Sequence, residues 1–257
     1  MRNIIWGLLL WWLPLAAQGQ DAPLSAFAKS VFTDEAGAEL PYRLLLPPKY
    51  EKSGQFYPLA LFLHGAGERG ADNEAQLVHG AQLFLDSLGN YPAIVVFPQC
   101  RADGYWVAVE GRGGAWRLPF YKKPAEDMGR VMQLVKSLQD TYRVDTARMY
   151  LGGLSMGAFG AFDLLARWPD TFAAAFAICG GSNPLLAPLY APHTPLWIFH
   201  GEADAVVPVE MSREMYKALQ QAGGQVRYTA YPGVGHNSWE AAFAEPQLLE
   251  WLFAHKR

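Results

Sequence analysis

One serine near the middle of the chain is flanked by glycines in the segment LGGLSMGAFG. Ser155 has Gly153 two residues before it and Gly157 two residues after it. This spacing predicts a sharp turn from a strand into a helix, because Cβ atoms at positions 153 and 157 would collide in such a turn. A serine at the tip of the turn would project its hydroxyl outwards, beside a helix N-terminus that favours developing negative charge. We therefore interpret Ser155 as a candidate nucleophile.

The predicted nucleophile needs a base, since a serine hydroxyl attacks poorly until its proton is removed. His236 is the best placed of the 6 histidines, because it follows an apolar segment in the glycine-rich loop YPGVGHNSW. Its imidazole needs an acid that fixes the tautomer and stabilises the imidazolium. Asp204 in HGEADAVVP follows the preceding apolar segment, and Glu202 in the same loop is the alternative acid. The sequence thus predicts a catalytic triad of Ser155, Asp204 and His236.

Attack by the serine on a carbonyl group would produce an oxyanion, which needs two preorganised hydrogen-bond donors. One expected donor is the backbone N–H of Met156, directly after the predicted nucleophile. The other should come from the glycine-rich segment LHGAGERG, whose backbone can approach a substrate closely. We favour the N–H of Ala66 and keep that of Gly65 as the alternative.

A metal site is the competing interpretation of the same histidines. His64, His200 and His236 each lie at the end of an apolar segment and, with Asp204, could in principle bind zinc. However, the sequence lacks the closely spaced ligand pairs that zinc sites favour. A histidine that precedes a glycine at a turn usually forms hydrogen bonds with the local backbone. We expect neither a metal nor another cofactor.

The segment CRADGYWVAVEGRGGAW carries aromatic residues among glycines, directly after an apolar run. Aromatic faces suit stacking on a sugar or aryl group, so Trp106 and Trp116 are possible substrate contacts. The alternative is that these rings pack the loop onto the core. Gln99, immediately before the segment, could orient a polar substrate group.

The elements that must position these residues alternate between strands and helices. Continuous apolar runs that end in turn residues are typical of parallel strands buried between helix layers. Strands are predicted at Phe27–Thr33, Leu40–Leu46, Leu59–Leu63, Ala93–Phe97, Met149–Leu151, Phe172–Ile178, Leu196–Phe199 and Val226–Tyr231. The first helix is predicted to run from Asn73 towards Leu88 and to begin with a capping box of Asn73 and Gln76. The other helices are predicted over 128–138, from Met156 onwards, over Ser212–Ala222 and over Trp239–His255.

This alternation predicts an α/β fold, with a mostly parallel, twisted eight-stranded sheet and helices on both faces. The first two strands have no helix between them and should form an antiparallel edge. The chain has 257 residues, of which 51% are hydrophobic and 18% charged, and it shows no internal repeat. We therefore expect residues 20–257 to form one catalytic domain. A net charge of −3 without a basic cluster argues against a nucleic-acid partner.

The N-terminal residues are typical of a secretory signal peptide. Arg2 precedes an apolar run from Ile4 to Ala17, and the small residues of Ala17-Gln18-Gly19 suit cleavage by signal peptidase. We expect residues 1–19 to be removed and the protein to be secreted or periplasmic, without stable membrane insertion. An uncleaved anchor is the alternative, although the apolar run is short for a membrane span.

Export would allow a disulfide between the 2 cysteines, Cys100 and Cys179. They follow the predicted strands Ala93–Phe97 and Phe172–Ile178, and we expect two other strands to lie between these in the sheet. Neighbouring strands are about 4.8 Å apart, so this separation exceeds the span of a disulfide. We therefore predict two free thiols.

Several segments together resemble the α/β-hydrolase superfamily, namely LFLHGAGERG, FPQC, LGGLSMGAFGAFDLLARWPD, ICGG, IFHGEADAVVPV and YPGVGHNSW. More closely, the chain is similar to secreted bacterial esterases related to feruloyl and acetyl xylan esterases, polyhydroxybutyrate depolymerases and dienelactone hydrolases. The resemblance covers nearly the whole chain after the leader and implies Ser155, Asp204 and His236 as the triad, with no cofactor. Ala158 is a departure, because such enzymes often have a second glycine after Ser-Met-Gly.

The residues and the resemblance together predict a secreted serine carboxylesterase that acts through an acyl-enzyme intermediate. Its substrate would be a small-molecule or oligosaccharide ester, with feruloyl or acetyl esters of plant polysaccharide as candidates. The alternatives are a serine peptidase of prolyl-oligopeptidase type, a phospholipase or short-chain acyl esterase, and a carbohydrate-binding protein without catalytic activity.

Overall fold

A computed structural model describes residues 24–110 and 117–257 of the chain. Within these residues, eight strands form one sheet in the order β1-β2-β4-β3-β5-β6-β7-β8. The strands are β1 Ala28–Thr33, β2 Glu39–Leu45, β3 Tyr57–Leu63, β4 Ile94–Pro98, β5 Val144–Leu154, β6 Ala174–Ile178, β7 Leu196–Gly201 and β8 Val226–Tyr231. The predicted signal peptide, residues 1–19, and Trp116 lie outside the described residues.

Helices connect most of the strands. The α-helices are α1 Tyr50–Ser53, α2 Ala81–Ser87, α3 Glu126–Thr141, α4 Met156–Arg167, α5 Val209–Gln221, α6 Trp239–Phe243 and α7 Leu248–Phe253. Short 3₁₀ helices occupy Leu24–Ala26, Ala66–Glu68, Ala75–Leu77 and Pro184–Leu189. None of the helices in the described part of the chain combines the length and apolar composition needed to cross a membrane.

The strand pairing confirms the predicted fold. β1 pairs antiparallel with β2, and β2 pairs antiparallel with β4, whereas the remaining pairs are parallel. Every residue of β3, β4 and β6 is buried, as expected of parallel strands that helices cover on both faces. The parallel arrangement brings the carboxyl ends of β5, β7 and β8 to one edge of the sheet.

The core has two layers, one on each face of the sheet. One cluster packs α3, α4 and α5 against the strands through residues such as Val131, Phe162 and Met215. The other cluster includes Phe84 of α2 and Leu248 of α7. Because successive side chains of a strand point to opposite faces, one continuous apolar strand contributes to both clusters.

Two predicted helices differ from the structure. The expected capping box at Asn73 is wrong, because Asn73 has a φ of 54° and α2 begins only at Ala81. The Asn73 side chain instead donates to Ser30 O at 2.9 Å and accepts from Gln76 Nε2 at 2.5 Å. The single helix expected over Trp239–His255 is divided into α6 and α7, since Pro246 lies between them and cannot continue a helix.

The prediction of two free thiols is confirmed. Cys100 and Cys179 are both buried and unbridged. Cys100 follows β4 and Cys179 follows β6, and the sheet order places β3 and β5 between them.

Candidate active site

The turn around Ser155 has the strained geometry that the glycine spacing predicts. Ser155 lies between β5 and α4 with φ 50° and ψ −118°, a conformation unusual for a residue with a side chain. A Cβ on Gly153 would lie 2.3 Å from Gly157 O, and one on Gly157 would lie 1.9 Å from Leu63 O. Both glycines are therefore required for α4 to start directly against the ends of β5 and β3.

The departure at Ala158 is accommodated by a glycine on a neighbouring loop. Ala158 is completely buried in the first turn of α4. A Cβ on Gly180, in the loop after β6, would lie 2.4 Å from the Ala158 Cβ. The Ala158 methyl group thus occupies space that Gly180 leaves open.

The structure brings Ser155, Asp204 and His236 together. Ser155 Oγ lies 2.9 Å from His236 Nε2, and His236 Nδ1 lies 2.7 Å from Asp204 Oδ2. A carboxylate only accepts hydrogen bonds, so the Nδ1–H group of His236 donates to Asp204. Nε2 of the neutral ring is then bare and accepts from the Ser155 hydroxyl. This is the arrangement in which an imidazole can take the proton of a serine.

The Asp204 carboxylate is buried and fully coordinated by hydrogen-bond donors. Its Oδ1 accepts from the backbone N–H groups of Val206 at 2.8 Å and Val207 at 2.9 Å. Burial alone would raise the pKa of Asp204, but the hydrogen bonds from His236 and the two amides hold it below its usual value. Glu202, the alternative acid, instead pairs with Arg213 Nη2 at 2.9 Å and does not reach the triad.

A second histidine, His200, contacts Asp204, whereas the sequence analysis weighed it as a metal ligand and expected it to contact the local backbone. His200 Nε2 lies 3.2 Å from Asp204 Oδ2 and 3.0 Å from Val207 O. His200 is completely buried, and burial lowers its pKa below the usual value. Its position at the end of β7 was visible in the sequence, but the direction of its ring was not.

His64 contacts backbone groups, as expected for a histidine before a turn glycine. Its Nδ1 lies 2.6 Å from Gly65 O, and its Nε2 accepts from the Cys100 N–H at 3.0 Å. Burial lowers the pKa of His64 to about 4, so the ring is neutral at pH 7. Both ring nitrogens are engaged in these contacts, which hold together the loops that follow β3 and β4.

Two expected substrate contacts are structural residues instead. Trp106 is completely buried, and its Nε1–H donates to His64 O at 3.0 Å. Gln99 is also completely buried; its side chain accepts from Asn73 N at 2.7 Å and donates to Asp72 Oδ1 at 2.7 Å. Both side chains point into the protein, because the polar backbone of the loop after β3 needs buried partners.

The backbone segments expected to form the oxyanion hole flank Ser155. A Cβ on Gly65 would lie 2.8 Å from Leu154 Cδ1 and 3.6 Å from the Ser155 Cβ, so this loop packs against the serine turn. Ala66 is the first residue of the 3₁₀ helix at 66–68, and Met156 is the first residue of α4. The first amides of a helix have no acceptor within it, so both are suited to bind an anion.

One group of potential metal ligands occurs in the described residues, and it overlaps the triad. Ligand atoms of Cys179, Asp204 and His236 lie within 4.8 Å of one another. Burial raises the pKa of the Cys179 thiol to about 12, which disfavours the thiolate that binds metals. The oxygens of Asp204 and both nitrogens of His236 are also engaged within the triad. The donor set therefore suits proton transfer better than metal binding.

A cleft of about 660 Å³ opens at the same edge of the sheet. The described residues that line it come from the chain after β4, the chain after β6, and the loop and helix α5 after β7: Glu110, Arg117, Leu118, Pro119, Ser182, Asn183, Pro184, Pro208, Met211 and Glu214. Its volume is within the range usual for small-molecule sites. Apolar walls with charged residues among them would suit a substrate that has both apolar and polar parts.

Comparison with known proteins gives one family and several esterases. A model of the phospholipase/carboxylesterase family matches residues 51–247. A thermostable esterase of known structure is 36% identical, with a TM-score of 0.84, over 91% of this chain and 64% of that one. Poly(3-hydroxyoctanoate) depolymerase of Pseudomonas fluorescens is 29% identical over 79% of this chain and 71% of the depolymerase. A bifunctional acetylxylan esterase/xylanase of Neocallimastix patriciarum is 30% identical over 58% of this chain and 20% of that protein.

Proposed function

Since this chain belongs to the phospholipase/carboxylesterase family of ester hydrolases, we propose that it is a secreted serine carboxylesterase whose nucleophile is Ser155. The observation that carries this proposal is the continuous hydrogen-bonded path from Ser155 Oγ through His236 to Asp204. The glycines around Ser155 allow the close approach of α4 to β5 and β3, and the strained backbone of Ser155 at this turn supports its role as the nucleophile.

In the proposed reaction, His236 Nε2 takes the proton of Ser155 as Oγ attacks the ester carbonyl carbon. Asp204 holds the Nδ1–H group and stabilises the imidazolium that results. His236 then returns the proton to the leaving alcohol, and the carbon–oxygen ester bond breaks to give an acyl-enzyme. Water, activated by His236 in the same way, releases the acid and restores Ser155.

The oxyanion of each tetrahedral intermediate would be bound by the backbone N–H groups of Ala66 and Met156. Support comes from the contact between the Gly65 loop and Ser155, and from the position of each amide at the start of a helix. Two such donors, fixed before the reaction, would stabilise the developing charge without further reorganisation, and losing one typically costs about 3 kcal/mol.

For the substrate, we propose an acetyl or feruloyl ester of a plant polysaccharide. The cleft formed by residues after β4, β6 and β7 has the size for a small acyl or aryl group with part of a sugar, and one relative is named an acetylxylan esterase/xylanase. Such polymers are found outside the cell, which agrees with the leader-like residues 1–19 and with secretion or export to the periplasm.

The proposal is tested by replacing the nucleophile. Ser155→Ala should reduce hydrolysis of p-nitrophenyl acetate to background and abolish covalent labelling by a fluorophosphonate. Ser137→Ala, on the outer helix α3, is the matched control and should behave like the wild type. Near wild-type turnover by Ser155→Ala would reject Ser155 as the nucleophile.

A panel of substrates then tests the chemical class. Acetylated and feruloylated oligosaccharides should be cleaved more efficiently than peptide amides, phospholipids or simple acyl esters of similar size. Preference for an amide would instead indicate a peptidase, and preference for a phospholipid would indicate a phospholipase.

A further inference from the structure

Two imidazole rings contact the same oxygen of Asp204. Asp204 Oδ2 is 2.7 Å from His236 Nδ1 and 3.2 Å from His200 Nε2, and the side chains of Asp204 and His200 are completely buried. His236 is partly exposed at the mouth of the site, whereas His200 approaches from the interior at the end of β7. The contact between His200 and the Asp204 carboxylate has no function in the reaction described above.

We propose that His200 is a positioning residue of the triad, which holds Asp204 in place through its Nε2–H group. The inference rests on the proposed serine mechanism, since it assigns a role to a residue that acts through Asp204 and His236. His200 does not touch the reacting atoms itself.

The surroundings of His200 determine where its proton lies. Nε2 faces Asp204 Oδ2 and the carbonyl oxygen of Val207, which both only accept hydrogen bonds. Nε2 must therefore carry hydrogen. Burial favours the neutral ring. Ser212 Oγ lies 2.7 Å from Nδ1 and 2.8 Å from Gly180 O, to which its hydroxyl donates. The hydrogen on Nε2 is thus required by Asp204 and Val207 rather than by Ser212.

The same contacts close the turn that carries Asp204. Val207 donates its N–H to Asp204 Oδ1, while its carbonyl oxygen accepts from His200. His200 therefore contacts both the carboxylate and the backbone that orients it. The turn is also held by packing, because the buried Val207 side chain lies in a cluster with Val107 and Phe159. His200 adds a polar contact from the interior, at the end of β7.

Neutrality of His200 matters for the charge balance of the triad. Asp204 carries one negative charge, which must stabilise the imidazolium of His236 during the reaction. A positively charged His200 would partly neutralise Asp204 and so weaken its stabilisation of the His236 imidazolium. A neutral His200 can orient the carboxylate through its N–H group and leave the negative charge of Asp204 available to His236. Among the described residues, the titratable groups that face Asp204 are His236, His200 and Cys179, and the thiol stays protonated.

The test compares His200→Phe, which keeps a ring without a donor, with His200→Gln, which retains an N–H group near the position of Nε2. We expect His200→Phe to lower kcat about ten- to a hundredfold with little change in KM, because a hydrogen bond to a charged group is lost. Asp204 would then carry more uncompensated charge and favour protonated His236. The acid limb of the kcat profile should therefore move to higher pH, and His200→Gln should restore most of kcat and the original profile.

NMR of the wild-type protein with isotopically labelled histidine provides a second measurement that does not depend on the folding of a variant. It should show His200 with hydrogen on Nε2. A bare Nε2 would overturn the proposal. Unchanged kcat in His200→Phe, or equal losses in both variants with an unshifted pH profile, would also overturn it. Failure of the serine mechanism would appear separately, as activity retained by Ser155→Ala.

Discussion

Replacing Asp204 by asparagine should reverse the tautomer of His236, the proposed base, and the structure indicates the direction of the new side chain. Oδ1 of Asp204 accepts from two backbone amides, those of Val206 and Val207, at 2.8 and 2.9 Å. In Asp204→Asn, only the carbonyl oxygen of the amide can occupy this position. The NH₂ group must then replace Oδ2 and face His236 and His200, because ring nitrogens can change tautomer whereas the two backbone N–H groups at Oδ1 cannot.

An NH₂ group at this position cannot accept the Nδ1–H of His236. The neutral His236 ring can accept a hydrogen bond from the asparagine NH₂ group only if Nδ1 carries no hydrogen. The ring hydrogen is then on Nε2. This proton would point at Ser155 Oγ, 2.9 Å away, where a bare nitrogen is needed to act as the base. The expected loss is about 10⁴-fold in kcat, equivalent to about 5 kcal/mol of transition-state stabilisation. KM should change little, since Asp204 is buried behind His236.

Initial rates on p-nitrophenyl acetate across a range of pH would measure this effect, with thermal unfolding as a check on folding. Glu202→Gln is the matched control, because Glu202 lies in the same loop but pairs with Arg213 on the surface. It should retain wild-type kcat. An Asp204→Asn variant that loses less than about tenfold in kcat would refute the reasoning about the tautomer. A large loss in Glu202→Gln alone would identify the other carboxylate as the acid.

Two further predictions concern stability. The pKa of His64 is about 4 in the folded protein against an ordinary value of 6.5, so the unfolded chain binds a proton first as the pH falls. The free energy of unfolding should therefore decrease by about 3 kcal/mol between pH 6.5 and 4, and urea unfolding of His64→Gln should show a smaller pH dependence. Gly157→Ala should destabilise the fold by about 3 kcal/mol or prevent folding, because its Cβ would lie 1.9 Å from Leu63 O. Gly89→Ala, which has open space around it, should be neutral; equal thermal unfolding midpoints for the two variants would contradict this account.

The fold and the three triad positions could be predicted because they depend on features that are local in the sequence. Parallel strands buried on both faces appear as continuous apolar runs, and such strands have their carboxyl ends at one sheet edge. Residues a few positions beyond those ends must then lie near one another. Ser155, Asp204 and His236 each follow a different strand in this way, and the structure brings them within hydrogen-bonding distance.

The same reasoning was wrong for Gln99 and Trp106, which also follow a strand at the active edge. Position along the chain determines which edge a residue reaches, but not whether its side chain points towards solvent or into the protein. That direction depends on backbone groups elsewhere, such as Asn73 N and His64 O, that need a buried partner. No pattern in the sequence indicates which distant backbone atom lacks a buried hydrogen-bond partner.

The buried contacts of Gln99, His64 and Trp106 suggest that the oxyanion-binding loop and the substrate-selecting surface are separate parts of the protein. Gln99, His64 and Trp106 connect the loop after β3 to the loop after β4, so they fix the backbone that should bind the oxyanion. A loop held by this many buried hydrogen bonds cannot adapt to different substrates without losing several of them. We therefore expect substrate selectivity to depend on the cleft formed by residues after β4, β6 and β7, whose walls include Pro119 and Met211. Among related esterases, we expect amino-acid differences to be concentrated in that cleft. The buried residues that hold the loop after β3, namely Gln99, His64 and Trp106, should differ less.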